Sequence, residues 1–352
     1  MVFGVEILSL RYKCNLFLMR FNTIYSILLI ALLGTGSCKK SNPEADNGIK
    51  NFDLYVVGTK QVDGRNYATY WKNGVEKTLS NIDSRATSIA FKGNDVYIGG
   101  AVNRPSYNTG VYWKNDQIIE IPLPDRPVST AHGVKNIVVD GSDIYMFCEY
   151  NQYSKNGVTY DFSGYSPIDA MYVNGGKVVS VNHDLAGFYY REGTSSGGAL
   201  LPDAYSIGAM LLDGNNNYVA GVKVTTINNM GYLTAGYWKN GIFEQAEPLN
   251  TPLPIIIRGM AINQNGVYIV GLIVDNERGQ VPAYWHNGKI NYLPIPEGTH
   301  IGAARSIVLN GNDIYIAGDA NNRPCCWKNG NLNFLSSEET RGQATGIALV
   351  PR

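Results

Sequence analysis

Five basic residues stand near the same place in a repeating sequence pattern, just ahead of short apolar segments. The five are Arg85, His132, Arg258, Arg305 and Arg341. Arg85 and Arg258 each precede an isoleucine of such a segment by four residues, and the other three lie within a few residues of the equivalent place. A guanidinium offers paired donors in a planar fork, which suits a carboxylate or phosphate group. If the fold brings these side chains together, they form a binding site for a small anion.

Residues that could catalyse a reaction or hold a metal are sparse. The histidines, His132, His183, His286 and His300, fall in separate parts of the chain without the short spacing of metal ligands. The pair His183-Asp184 lacks a positioned nucleophile and is interpreted as part of a surface loop. The sequence therefore predicts no metal, no cofactor and no catalytic residue, and it favours a binding protein over an enzyme.

The elements that position the basic residues are predicted from an internal repeat. Trp-Lys-Asn-Gly or a close variant begins at every tryptophan of the chain: Trp71, Trp113, Trp238, Trp285 and Trp327. Neighbouring copies are 42 or 47 residues apart, except for one interval of 125 residues that holds about three periods. Degenerate copies at 154–157 (SKNG) and 190–193 (YREG) fill that interval. A tryptophan at the same place in five of the units indicates packing between sheets rather than stacking on sugars.

A second motif runs in step with the first and predicts a β-hairpin. Residues 95–100 (DVYIGG) follow an apolar alternation that ends in Lys92-Gly93-Asn94, and similar pairs of segments precede the later tryptophans. Asn-Gly tolerates the positive φ of two-residue hairpin turns, so the Asn-Gly after Trp-Lys is predicted to join strands three and four. Each unit of about 43 residues then forms four short antiparallel strands.

Seven such units predict an all-β, seven-bladed β-propeller of four-stranded antiparallel blades. The chain opens near Asp53 with a second strand and ends at 344–350 with a first strand, so the two ends are expected to share one blade. The alternative is six blades, with 171–175 (MYVNG) as a third strand and 183–203 as an insertion. In either case inner strands start or end at the mouth of the central channel, where we expect the five basic residues to converge.

The N-terminal region predicts that the protein is exported to the bacterial cell envelope. An apolar run of about ten residues from Ile24 to Leu33 is too short to span a bilayer and is typical of a signal peptide. It ends in Gly36-Ser37-Cys38, which resembles a bacterial lipobox, so we expect 1–37 to be a lipoprotein signal peptide and Cys38 to carry the lipid. Translation from Met19 would make a well-proportioned signal. We interpret residues 38–50 as a flexible tether and residues 51–352 as the propeller domain.

Charge excludes one class of partner. The chain has 29 Lys and Arg against 29 Asp and Glu, so it has no global basic field that would attract nucleic acid. The expected partners are the membrane, through the lipid on Cys38, and a glycan, a small anionic ligand or an envelope protein. Cysteines are too few for a disulfide framework, and we expect a monomer.

One repeat unit carries a family resemblance. Residues 261–271 (AINQNGVYIVG), followed by Trp285-His286-Asn287-Gly288, resemble the HAF-type extracellular repeat. The lipobox and the Trp-Lys-Asn-Gly repeats together resemble lipoproteins of Bacteroidota. The resemblance spans about 53–350 and implies an extracellular β-propeller, without catalytic residues to carry over.

These observations favour a lipid-anchored binding or interaction scaffold, periplasmic or on the outer surface of the outer membrane. Two alternatives stay open: a glycosidase or lyase with a site at the channel mouth, and a structural envelope component. A propeller assembles its sites from loops that are distant in sequence, so spacing alone does not separate these three.

Overall fold

The fold consists of β-strands joined by turns. The computed structural model describes residues 48–104, 108–121, 133–149, 152–161, 168–185, 187–192, 198–246 and 253–352. This part of the chain contains no helix long and apolar enough to cross a membrane. The predicted signal peptide, Cys38 and His132 lie outside the described residues, as does most of the predicted tether.

The described residues form seven four-stranded antiparallel sheets arranged in a ring, the blades of a β-propeller. Blade 1 contains β1 (Phe52–Val62), β2 (Arg65–Lys72) and β3 (Val75–Thr78). Blade 2 contains β4 (Ser84–Lys92), β5 (Asp95–Asn103), β6 (Asn108–Lys114) and β7 (Gln117–Glu120). Blade 3 contains β8 (Val134–Asp140), β9 (Asp143–Cys148), β10 (Gln152–Lys155) and β11 (Val158–Asp161). Blades 4 and 5 contain β12 (Ile168–Asn174), β13 (Lys177–Asp184), β14 (Gly187–Glu192), β15 (Ala199–Leu201); β16 (Ala204–Asp213), β17 (Asn216–Ile227), β18 (Met230–Lys239) and β19 (Ile242–Gln245). Blades 6 and 7 contain β20 (Ile255–Asn263), β21 (Gly266–Asp275), β22 (Gly279–His286), β23 (Lys289–Tyr292); β24 (Gly302–Asn310), β25 (Asp313–Ala320), β26 (Arg323–Lys328) and β27 (Asn331–Phe334). The last strand, β28 (Arg341–Pro351), returns to blade 1.

Hydrogen bonds between the two ends of the propeller chain close the ring. β28 pairs antiparallel with β1, from Phe52 opposite Pro351 to Gln61 opposite Arg341. Without β28, β1 would present unpaired backbone groups at its inner edge. Blade 1 therefore takes its inner strand from the C-terminal end and its other three strands from the N-terminal end. The prediction of seven blades closed in this way is confirmed.

The six-blade alternative is wrong. The segment 171–175 lies in the inner strand of blade 4, β12, and in the turn that follows it. Gly175 and Gly176 both have positive φ, 59° and 77°, so they turn the chain back into β13 instead of ending a third strand. The residues that this alternative treats as an insertion include β14 and β15, which complete the blade.

The Trp-Lys-Asn-Gly motif builds the turn between strands three and four. In blade 1, Asn73 and Gly74 have φ of 52° and 82°, the left-handed values that a two-residue hairpin turn requires. The Asn73 side chain accepts a hydrogen bond from the Leu54 N–H at 2.8 Å and donates one to Asp53 at 2.7 Å, while Lys72 forms a 2.8 Å ion pair with the same carboxylate. The same contacts recur in blades 2, 3 and 7 around Asp95, Asp143 and Asp313. The two repeated motifs are in step because their side chains bind each other.

The tryptophan of this motif fills the space between blades. All five tryptophans have at most 1% of their surface exposed. Each belongs to a core cluster with residues of the preceding blade; Trp113 of blade 2, for example, packs with Val57 and Ala68 of blade 1. The indole therefore joins one sheet to the next.

Two blades lack this tryptophan. The ladder places Ser154 opposite Met146 in blade 3 and Arg191 opposite Ser180 in blade 4, at the place where Trp113 lies opposite Ile98 in blade 2. The alignment of 190–193 with Trp-Lys-Asn-Gly is thus one residue out of register, because Arg191 and not Tyr190 takes the place of the tryptophan.

Replacing Trp113 by Ala should destabilise the domain by about 3 to 5 kcal/mol, because it leaves a large cavity between two blades. The measurement is urea unfolding followed by circular dichroism. Ile242→Ala is the control, since Ile242 is 73% exposed and its truncation should change stability little. An unchanged unfolding midpoint for the tryptophan variant would contradict the packing role.

Candidate functional site

A β-bulge interrupts the inner strand of every blade at the same height. In each case two consecutive ladder pairs skip one residue of the inner strand, which is the geometry that directs an extra side chain away from the sheet. The seven skipped residues are Thr87, Lys135, Asp169, Gly208, Arg258, Arg305 and Thr345. All seven line one central cavity of about 500 Å³. The channel thus presents one bulge residue from each blade.

Two of these residues tie neighbouring blades together. The Thr345 hydroxyl donates to the carbonyl oxygen of Ala86 in blade 2, at 2.9 Å. The Thr87 hydroxyl donates in the same manner to the carbonyl oxygen of Val134 in blade 3, at 2.6 Å. Each acceptor is the residue just before the next bulge, so the hydroxyls link one inner strand to the next.

Two further bulge residues, in blades 3 and 5, contact the next blade in other forms. Lys135 donates to the carbonyl oxygen of Ile168 at 3.4 Å. A Cβ at Gly208 would lie only 2.0 Å from the carbonyl oxygen of Ile257, so glycine permits the closest approach between blades 5 and 6. The bulge residues at these positions contact the neighbouring blade, whereas neither bulge arginine forms a side-chain hydrogen bond with a described residue of another blade.

Arg258 and Arg305 occupy adjacent places in the ring and place two guanidinium groups on one side of the channel. Arg258 forms no hydrogen bond or ion pair with any described residue, although it lines the channel. Its side chain stays exposed, but partial removal from water by the channel wall and repulsion from Arg305 lower its pKa. An anion bound between the two groups would offset both effects, because a nearby negative charge favours the charged form of each guanidinium.

Arg305 is held by a buried carboxylate that sequence reasoning missed. Its Nε donates to Asp319 Oδ1 at 2.7 Å, and Asp319 is 4% exposed. Burial raises the pKa of Asp319, although Arg305 opposes the rise. A comparison of the repeat units could have singled out Asp319, because the equivalent residues of blades 2 and 6 are the apolar Ala101 and Leu272.

Arg85 is held in a similar way. One guanidinium nitrogen donates to Glu149 Oε1 at 3.0 Å, and the other carboxylate oxygen accepts the Gly133 N–H at 3.0 Å. Glu149 occupies the position in blade 3 that Asp319 occupies in blade 7. Both blades therefore have a carboxylate at this position of the repeat, where blades 2 and 6 have an apolar residue. Both carboxylates orient an arginine at the same face of the ring.

A second cavity, of about 470 Å³, brings Arg85, Arg305 and Arg341 together. Arg305 lines this cavity and the channel, and Arg341 has no partner among the described residues. The proposed equivalence of Arg85 and Arg258 is wrong, because the ladder aligns Arg258 with Arg305 and Thr87 and places Arg85 two residues nearer the mouth. The four predicted arginines nevertheless line these two cavities, and His132 lies outside the described residues.

On the other side of the channel Asp169 meets a histidine. His183 Nδ1 lies 2.7 Å from Asp169 Oδ2, and His183 belongs to strand β13 rather than to a loop. Burial raises the pKa of Asp169, which the contact with His183 and the charge of Lys135 partly oppose. Within the described ranges, no group of three or more His, Cys, Asp or Glu residues could hold a metal ion.

Comparisons with known proteins support the fold and nothing finer. No family model matches the chain, and no curated protein matches it. A puromycin-hydrolyzing peptidase from Mycobacterium tuberculosis aligns with a TM-score of 0.52 at 11% identity, over 80% of this chain and 53% of that one. YCF48 bound to D1 peptide aligns at 0.46 and 13% identity, over 86% and 89% of the two chains. Apo AztD from Citrobacter koseri aligns at 0.45 and 9% identity, over 85% and 98%. The resemblance to HAF-type repeats stays a prediction.

Removing Arg305 should make stability depend on the charge of Asp319. At pH 7 the Arg305→Ala variant leaves a buried carboxylate without its partner, which should cost about 2 to 4 kcal/mol. Loss of the arginine also raises the pKa of Asp319 further, so protonation relieves this cost as the pH falls toward the unfolded value near 4. The measurement is urea unfolding at pH 7 and at pH 4.5.

Arg278→Ala is the control for that experiment, because Arg278 forms an exposed ion pair with Asp275 outside both cavities. Its effect should stay below about 1 kcal/mol. An Arg305→Ala deficit of equal size at both pH values would contradict the role given to the Asp319 charge.

Proposed function

We propose that this protein is an extracytoplasmic binding protein that takes an anionic ligand at the mouth of its propeller channel. The observation that carries the proposal is the convergence of four arginines on two cavities that share Arg305. Two of them, Arg258 and Arg341, form no hydrogen bond or ion pair with a described residue, although the charge of Asp319 acts on Arg258 from a distance. Like charges gathered without partners are unfavourable until an anion joins them, so a bound carboxylate, sulfate or phosphate gains charge-assisted hydrogen bonds.

The alternative of a glycan-active enzyme has less support. A glycosidase needs two carboxyl groups that face the scissile bond, one of them free to act as nucleophile or base. The two carboxylates among the residues that line the cavities are already engaged, Asp169 with His183 and Asp319 with Arg305. A binding role explains these contacts better, because both carboxylates hold cationic or imidazole groups in place.

Removing an unpartnered arginine should weaken anion binding without harming the fold. We expect Arg258→Ala and Arg341→Ala each to lower the affinity for the anions that the wild type binds by about 1.5 to 3 kcal/mol, because one charge-assisted hydrogen bond is lost. The measurement is titration calorimetry with a panel of carboxylates, sulfate and phosphate at low and high salt. Screening should weaken wild-type binding at high salt.

Arg278→Ala serves as the matched control, since it removes one exposed arginine away from both cavities. Wild-type affinity in both channel variants would refute the proposed site. Equal losses in all three variants would point to net charge instead of a defined site.

We also propose that the domain is tethered to the cell envelope through a lipid on Cys38. The support is the order of signal segment, small residues and cysteine in the sequence, with a polar segment before the first strand at Phe52. Such a tether places the propeller on a membrane surface, in the periplasm or outside the outer membrane, where it meets soluble ligands.

Replacing Cys38 by Ala should abolish labelling by a fatty-acid analogue in the native host, because the lipid attaches through the sulfur of Cys38. Cys148→Ala is the control: this cysteine is buried, its pKa is raised to about 12, and the variant should be labelled as strongly as the wild type. Persistent labelling of the Cys38 variant would contradict the lipid anchor.

A further inference from the structure

The second cavity differs from ordinary ligand pockets in its chemistry. It lies over blade 1 and its two neighbours, and every described side chain that lines it is polar or charged. Small-molecule pockets are usually lined by apolar and aromatic groups with a few polar ones. The polar side chains of this lining therefore favour a hydrophilic ligand.

Five amide side chains carry the inference. They are Gln61, Asn66, Asn103, Asn322 and Gln343. All five are half-buried, and none forms a side-chain hydrogen bond with a described residue. The asparagines of the strand turns differ, since Asn73, Asn115, Asn156, Asn240 and Asn329 each accept a backbone N–H. Unused amides occur elsewhere in the fold, for example at Asn108 and Asn217, but five of them line this one cavity.

Buried polar atoms around the cavity point the same way. The Thr59 hydroxyl and Asn103 Oδ1 are inaccessible to solvent and have no hydrogen-bond partner. Thr59 is only 5% exposed and lines the cavity. Unpaired polar atoms inside a protein are costly because their hydration is lost. Others occur elsewhere in the fold, for example at Trp71 and Trp238, but these two belong to residues that line the cavity beside the unused amides.

The donors and acceptors define a ligand class. An amide has two N–H donors and one oxygen acceptor, and a hydroxyl can both donate and accept, so amides match a polyhydroxylated molecule. Arg85 is paired with Glu149 and Arg305 with Asp319, so the surplus at this cavity is the one positive charge of Arg341. That surplus selects for an acidic group on the same molecule.

We propose that this cavity binds an acidic saccharide, a hydroxylated ring that carries a carboxylate or a phosphate. The acidic group faces the arginines, and the hydroxyl groups pair with the amides of blades 1, 2 and 7. This assignment rests on the proposed anion-binding function and adds the saccharide part of the ligand.

The test compares matched probes with the purified full-length chain, by titration followed by NMR so that millimolar affinities are measured. The probes are glucuronate, glucose 6-phosphate, glucose, propionate and inorganic phosphate. We expect at least one acidic sugar to bind ten-fold or more tightly than both glucose and its matching simple anion. Comparison of the affinities for glucuronate and glucose 6-phosphate shows whether the acidic group of the preferred ligand is a carboxylate or a phosphate.

Variants then separate the amides from the charges. Gln343→Leu and Asn66→Leu, which lie on different strands, should each weaken acidic-sugar binding about three- to ten-fold by removing hydrogen bonds, and should leave simple-anion binding unchanged. Gln117→Leu on the outermost strand of blade 2 is the control, because Gln117 is exposed and outside the cavity. Thermal unfolding confirms that each variant is folded.

Each failure has its own meaning. Acidic sugars that bind no better than propionate and phosphate, or folded amide variants with wild-type affinity, would overturn the saccharide inference and leave the anion-binding function standing. Glucose binding as tightly as glucuronate and glucose 6-phosphate would overturn the role of the arginines in this cavity. Binding of none of the four anionic probes would overturn the inference together with the function on which it rests.

Discussion

The backbone pairing of β28 with β1 is the constraint on which the structure depends. Each blade packs mainly on its two neighbours, so the stability of a propeller resembles that of a chain of repeats with its ends joined. Here the join consists of one antiparallel ladder between residues almost 300 positions apart. The tryptophans pack neighbouring blades, and Trp71 packs across the junction with blade 7, while this ladder joins the two ends of the chain in one sheet and so closes the ring.

Closure also decides what the channel contains. Once the inner strands surround one axis, a bulge at the same height in each of them gathers seven side chains around one cavity. Thr345, Thr87, Lys135 and Gly208 then connect neighbouring blades, and Arg258 and Arg305 face the space between them. One backbone irregularity, repeated seven times, thus supplies contacts between blades at some positions and places two guanidinium groups in the channel at others.

The second cavity lies where closure occurs. Thr59, Gln61 and Asn66 come from the N-terminal strands of blade 1, while Arg341 and Gln343 come from β28. A ligand that contacts both sets bridges the two ends of the chain across the ladder. Because such a ligand binds only the closed ring, its binding energy adds to the stability of closure.

The sequence by itself determined the propeller fold, the shared closing blade and the turns, because these depend on local periodicity and on residues such as Asn73 and Gly74 that tolerate positive φ. It favoured seven blades over six, and the structure decided between them. The sequence also placed basic residues near the ends of inner strands. Spacing could not show that Arg258 and Arg305 are the equivalent pair, since a bulge shifts the register by one residue without a fixed sequence signal. Only the tertiary structure brought Asp319 to Arg305, Glu149 to Arg85, and unpartnered amides from three blades into one cavity. Such contacts join residues from separate repeats, and their positions depend on how the ring closes and not on any interval along the chain.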